Sequence, residues 1–258
     1  MKDNCMQHEL GKDGYIKIPN FFSLSTIERL RIALDSCILK YASIHESLGY
    51  TKPTQGGAHH LLIDGDVFLD ILNDFAKLSI IADALEGKFI VNSFGGFNNV
   101  KDADLYVCNI HRDIRLFLPG RPLMLNLLVM LDDFTLDNGA THVLSGSHKE
   151  EFKPEADAFF GTGARIIGEA GDILIFDSRL WHAAGKNTTD KPRRALTITF
   201  TNPFFKQQFN YCLNFSSEQI KSMSDAQKQL LGYFSRTPSS LAEWYAPLVS
   251  RMYRADQD

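Results

Sequence analysis

The sequence predicts a mainly β protein flanked by helices, its strands closing into a sandwich or jelly-roll barrel. Three observations predict it. Apolar residues recur at helical spacing through the first part of the chain, to about residue 87. From about 88 to 205, short β-rich runs alternate with turn signals. From about 206 to 258 the chain turns polar and helical again. No repeat, low-complexity tract or linker interrupts the 258 residues, so one domain is expected over 1–258.

In order along the chain, Ser25 and Glu28 have the spacing of a capping box, and Ile27, Leu30, Leu34, Ile38 and Tyr41 follow at helical spacing. The segment "GYTKPTQGGAHHLLIDG" is rich in glycine and turn formers and reads as a loop. A second helix is expected through "DVFLDILNDFAKLSIIADALEG", with Gly87 as its C-terminal cap. Strands are then expected at "KFIVNSF", "DLYVCNI", "LMLNLLVML", "THVLSG", "ARIIGEA", "DILIFD" and "ALTITFTN". Gly95-Gly96, Pro119-Gly120, Asn138-Gly139 and Gly171-Asp172 supply turns between them. So many short strands in so short a stretch suggest a sandwich or jelly-roll barrel. In the tail, "SSEQIKSMSDAQKQLLGYF" is the clearest helical piece.

Composition narrows the function classes. A net charge of −4 with no basic run gives no electrostatic case for nucleic acid. No apolar stretch approaches a membrane span, and the polar N-terminus lacks the apolar core of a signal peptide. The four cysteines lie far apart in no pairwise motif, as expected of reduced thiols in a cytoplasmic protein. Nucleophile-elbow, P-loop and dinucleotide-binding glycine patterns are missing. The sequence gives no oligomeric state.

The chemistry concentrates in two segments. "DLYVCNIHRDIRLF" carries His111 and Asp113, and "GDILIFDSRLWHAAGKNTTDKPRRALTITF" carries His182 and Arg193. Two imidazoles and one carboxylate are the ligand set that leaves half of an octahedral Fe(II) open to oxygen and a co-substrate. On a strand, residues two apart share a face, so His111 and Asp113 converge if the strand end faces a barrel interior. A lone His-x-Asp is a weak signal, and the distal His182 at the end of an apolar run strengthens it. His142 is a strand residue and the substitute ligand should His182 not serve. Arg193 or Arg194 can point inward but not both, and a buried arginine needs a carboxylate or phosphate partner.

Weaker candidates surround this set. Asn126 interrupts an apolar strand, where it either satisfies the core or lines a cavity. His59 and His60 lie in the glycine-rich loop and are candidate substrate contacts, set against ordinary exposed loop histidines. Arg115, two residues beyond Asp113, is a candidate for an anionic substrate or a surface ion pair. Trp181 is expected on the outer face of its strand, and His148 in a turn.

These segments resemble the phytanoyl-CoA dioxygenase family of Fe(II)- and 2-oxoglutarate-dependent oxygenases. "KDGYIKIPNFFSLSTIERLRIAL" is similar to its N-terminal strand and helix, and "LLVMLDDFTLDNGATHVLSGSHK" to its strand, acidic turn and Gly-Ser-His segment. The resemblance spans roughly residues 10–205. It implies a double-stranded β-helix, with His111, Asp113 and His182 holding Fe(II) and Arg193, not Arg194, binding the distal carboxylate of 2-oxoglutarate. It also implies use of O₂ to hydroxylate a small-molecule metabolite or natural-product intermediate, with release of succinate and CO₂. Ala184 stands where some members carry serine, and Leu128 where some carry an aromatic residue. Asn126 is therefore a candidate auxiliary contact to 2-oxoglutarate. Asp113 stands where related halogenases have a small residue, which favours hydroxylation. The rival reading is a metal-binding, cupin-like isomerase or binding protein, which leaves Arg193 without a role.

Overall fold

The computed structural model describes residues 2–49, 56–101, 106–247, 251, 254 and 256–257. The expected loop over 49–65 and the expected strand at "DLYVCNI" therefore lie partly outside the described residues. Among the described residues two antiparallel sheets form. Their strands are β1 (Tyr15–Ile18), β2 (Gly57–His59), β3 (Ile90–Asn99), β4 (Met124–Met130), β5 (Thr141–Val143), β6 (Ala164–Ile166), β7 (Ile173–Asp177), β8 (His182–Ala183) and β9 (Arg193–Thr201). The larger sheet has the order β1-β7-β4-β9-β3-β2 and the smaller one β6-β5-β8. This is the jelly roll expected from the strand pattern, with helices packed on the larger sheet.

Strand alternation sorts the side chains between two cores. On β4, Leu125, Leu127 and Val129 face the helices, as do Leu196, Ile198 and Phe200 on β9. Leu128, Met130 and Ala195 face the space between the sheets, with Phe134, Leu174 and Phe176. The long α2 (Leu24–Ser47) covers the outer core with Ile27, Leu30, Leu34 and Cys37, while α1 (Lys2–Asp13) leads into β1. Burying a leucine-sized side chain contributes about 1.5–3 kcal/mol, so this one helix face is a major anchor.

Several boundaries differ from expectation. The cap of α2 is Ser23, whose Oγ accepts the Thr26 N–H at 3.2 Å, and Ser25 lies inside the helix. The Phe21 and Phe22 amides both donate to Gly171 O, which fixes where the chain can turn into the helix. The second expected helix is three: α3 (Asp66–Asp70), α4 (Leu72–Phe75) and α5 (Ser79–Leu85). Leu78 leaves helical geometry at ψ 85° and buries its own side chain. The left-handed residue that ends α5 is Glu86, not Gly87.

Gly95-Gly96 is no turn and lies in the middle of β3. A Cβ at Gly96 would stand 2.6 Å from Leu34 Cδ1, so the glycine admits α2 to the sheet. The Asn138-Gly139 turn forms as expected, with Gly139 at φ +87°. The described part of "DLYVCNI" is a 3₁₀ turn, Tyr106–Cys108, and not a strand. A further helix, α6 (Ala156–Thr162), precedes β6. The tail forms α7 (Ser217–Ser222), α8 (Asp225–Leu231) and α9 (Leu241–Trp244), the first two opened by Ser–Gln capping boxes at Ser216 and Ser224. Among the described residues no helix is long and apolar enough to cross a membrane.

Candidate metal centre and its cavity

His111, Asp113 and His182 converge, though not by the expected route. His111 and Asp113 lie in the loop after the 3₁₀ turn, and the strand-face argument does not apply to them. Tertiary backbone bonds hold them instead. His111 and His182 exchange N–H···O=C bonds at 3.0 and 2.9 Å, and the Asp113 amide donates to Ser178 O at 3.0 Å. The run "GDILIFDSRLWH" is likewise not one strand. The chain leaves β7 at Asp177, turns, and enters the smaller sheet at His182.

The donor atoms fit an ion. One ligand atom from each residue lies within 4.8 Å of the others. Asp113 Oδ1 is 3.7 Å from His111 Nε2, and Asp113 Oδ2 is 3.5 Å from His182 Nε2. Bonds of about 2.0–2.2 Å to a central cation are compatible with such separations. His111 Nδ1 lies 2.7 Å from Asn109 O, and His182 Nδ1 lies 2.9 Å from Leu180 O. Protonated there, both rings turn an Nε2 lone pair toward the centre, the usual support of a ligating histidine. Burial holds the His182 imidazole below its ordinary pKa, Asp113 opposes this and His111 adds to it, so a neutral ring is favoured.

A cavity of about 540 Å³ opens beside the cluster, within the usual range for a ligand site. His59, His60, Asn126, Leu128 and Ala184 line it with the three clustered residues. Asn126 Nδ2 donates to Asp113 Oδ2, which ties the carboxylate to β4. Arg115 is exposed and does not line the cavity, because the strand that would have carried it inward is not formed. His142 turns away onto Phe160, with ring centroids 5.1 Å apart, and takes no part in the cluster. Trp181 is buried and packs with Ile110, Phe159 and Ala183. His148 sits buried in the 3₁₀ turn Ser147–Lys149.

The adjacent arginines separate as strand geometry requires. Arg194 is forked onto Asp132 at 2.9 Å through Nε and Nη2, and reaches Asp35 of α2 at 2.8 Å through Nη1. It is thus an element of the fold and not a solvent-exposed cation. Arg193 is fully buried on the face shared by Thr197 and Thr199, which line the cavity. Its three guanidinium nitrogens have no hydrogen-bond partner among the described residues. Aromatic rings flank it, with Phe134 at 4.3 Å and Phe97 at 5.3 Å, and Phe97 is itself in the cavity wall. Burial pushes its pKa down to about 9. Thr197 and Thr199 escaped the sequence reading, although period-two spacing from Arg193 would have put them on the inward face.

Fold and cluster together define a jelly-roll protein with a two-histidine, one-carboxylate centre. The chain belongs to the phytanoyl-CoA dioxygenase family, whose model matches residues 10–195. An uncharacterized protein of Mycobacterium tuberculosis is 36% identical over 173 residues, covering 67% of this chain and 62% of its own length. The chain thus spans under two thirds of that relative. Dioxygenase olcK of Penicillium canescens is 26% identical over 244 residues, covering 87% of this chain and 78% of its own. The fold is shared with HygX of Streptomyces hygroscopicus, solved with nickel and 2-oxoglutarate, at a TM-score of 0.60 and 18% identity over 78% of this chain and 88% of that one. The epimerase SnoN, solved with Fe3+, alpha ketoglutarate and nogalamycin RO, matches at a TM-score of 0.61 and 14% identity over 78% and 83%.

Proposed function

We propose that this protein is an Fe(II)- and 2-oxoglutarate-dependent dioxygenase that hydroxylates a small molecule. The observation that carries the reading is Arg193. A buried guanidinium without a partner is costly, and a dicarboxylate beside the metal centre supplies the missing partner in bidentate form. The cupin-like alternative gives this residue nothing to do. Relatives named dioxygenases and the family model support the same class.

In this reading His111, Asp113 and His182 would hold the iron, which when loaded with 2-oxoglutarate supplies O₂ activation coupled to release of succinate and CO₂. The chain's own work is positional. Asn109 O and Leu180 O fix the imidazole tautomers, Asn126 fixes the carboxylate, and Arg193 aligns the co-substrate. Leu128, Phe176 and Met124 exclude water from the reacting end. Asp113 keeps a carboxylate in the position a halide would need, so the expected outcome is hydroxylation.

An anaerobic titration tests this. A weak visible band requiring both Fe(II) and 2-oxoglutarate is expected, with loss of that band and of iron-dependent 2-oxoglutarate turnover in His182→Ala. Unchanged iron stoichiometry and turnover in that variant would sink the assignment. Under ¹⁸O₂ the product should carry one labelled oxygen per succinate, with or without chloride present.

A further inference from the structure

The floor of the cavity is ordered in rows by the sheet register. Asn126, Thr199 and Ser93 stand side by side on β4, β9 and β3. The next row is Leu128, Thr197, Gly95 and His59, on β4, β9, β3 and β2. Four strands at about 4.8 Å spacing make this row about 14 Å long. The His-Asp-His cluster stands at the β4 end, where Asn126 meets Asp113. The cavity therefore has a reacting end and a far end at the β2 edge.

The far end is built. His60 adopts φ 60° and ψ 39°, left-handed geometry that a histidine seldom takes and that marks a position held by its surroundings. Its ring stacks on Phe209 at 4.5 Å, and its Nδ1 lies 3.3 Å from the buried Tyr211 hydroxyl. With the phenol donating to Nδ1, the imidazole proton resides on Nε2, the nitrogen left for a ligand. A Cβ at Gly95 would meet Ala58 O at 3.0 Å and His59 Nδ1 at 3.4 Å, so glycine keeps the row open where it passes β3.

The lining is largely apolar and nearly uncharged. Among the described residues in the cavity wall, Asp113 alone carries a formal charge, and it belongs to the metal cluster. Burial holds both His59 and His60 below their ordinary pKa, which keeps them neutral. Arg193 is not part of this wall, and a carboxylate or phosphate at the far end would lose its water and meet no cation among the described wall residues; an ammonium would meet no free anion there.

We propose that the site takes an uncharged, elongated, oxygen-bearing substrate laid along the Leu128–Thr197–Gly95–His59 row. Its reacting carbon lies at the His111–Asp113–His182 end, and an ether, hydroxyl or carbonyl oxygen accepts from His60 Nε2 at the other. The identity of the reacting end rests on the oxygenase reading; the charge and the far-end contact do not.

Three matched probes test it by calorimetry on the protein with Fe(II) and 2-oxoglutarate under argon: decanediol, decanedioate and diaminodecane. Decanediol is expected to bind at least tenfold tighter than either charged analogue. His60→Ala should weaken it at least fivefold and leave the visible Fe(II)–2-oxoglutarate band unchanged. Should that variant not fold, His60→Asn carries the test, since asparagine tolerates left-handed geometry but is too short to reach the same oxygen. Equal or tighter binding of decanedioate, no binding of decanediol, or an unchanged decanediol affinity in the folded variant overturns the proposal. Selective decanediol binding without any visible band counts against the oxygenase reading and leaves the substrate assignment standing.

Discussion

Asn126 donates its side-chain amide to Asp113 Oδ2, joining the third strand-order position of the larger sheet to the only carboxylate in the cluster. The loop that carries Asp113 has no ladder of its own, so this bond and the Ser178 carbonyl set where the carboxylate points. Losing such an outer partner typically costs about 10–100-fold in metal affinity. Asn126→Ala is expected to weaken Fe(II) binding by that order with little change in thermal stability. An unchanged iron dissociation constant would show that the loop orients Asp113 unaided.

Arg193 makes a prediction with two opposite signs. Without ligand, Arg193→Met replaces an unpartnered buried cation by an apolar chain of similar length. The gain should be about 1–4 kcal/mol, by analogy with buried ion pairs replaced by hydrophobic residues. Scanning calorimetry should show the ligand-free variant melting above wild type. The same variant should lose the stabilisation that 2-oxoglutarate gives the wild-type protein, and bind it more than tenfold more weakly. A lower melting point without ligand would mean that Arg193 already has a partner.

Arg194→Ala should behave in the reverse way. It removes the fork onto Asp132 and the link from β9 to Asp35 of α2. Hydrogen bonds to charged groups contribute about 1.5–3 kcal/mol, so a measurable loss of stability in urea titration is expected. Affinity for 2-oxoglutarate should move by less than about twofold. A larger effect on affinity than that of Arg193→Met would show that the inward phase of β9 has been misread.

His142 gives a pH dependence. Burial, with a smaller push from Arg165, lowers its pKa to about 4, against an ordinary 6.5. Between pH 6.5 and about 4 the unfolded chain takes up a proton that the folded protein refuses. The contribution to stability is thus complete above pH 6.5 and is lost as pH falls toward 4. His142→Phe, which keeps a ring against Phe160, should flatten this part of the profile. The urea midpoints of variant and wild type, compared at pH 7.5 and 4.5, check it; parallel profiles would refute it.

Much of the fold was legible because it rests on local rules. Alternation along "LMLNLLVML" and "ALTITFTN" marks both faces of β4 and β9 and sets Arg193 and Arg194 on opposite faces, while the choice of Arg193 as the inward one came from the family resemblance. What was not legible depends on partners distant in sequence. His111 and Asp113 look like strand residues by spacing, yet they owe their positions to His182 and Ser178, some 70 residues on. Ser25 has the better capping pattern, but the Phe21 and Phe22 amides are already committed to Gly171 O and hand the role to Ser23. Gly95-Gly96 reads as a turn because the sequence does not announce that Leu34 and His59 will need the space. His60 was visible as a candidate substrate contact beside His59, but not what holds it, since its left-handed backbone and its bond to Tyr211 are tertiary facts.

The reciprocal amide bonds between His111 and His182 have a kinetic meaning. Each of these two amide protons is sheltered by the carbonyl of the other residue. Neither can meet solvent unless the segments bearing the two imidazoles part, and once they part no ion can be held by both. Hydrogen exchange at these two positions is therefore a clock for the opening of the centre itself, running apart from the unfolding of the sheets. A bound ion should slow both protons together and by the same factor, which makes escape of the metal and separation of the two segments a single event on one timescale.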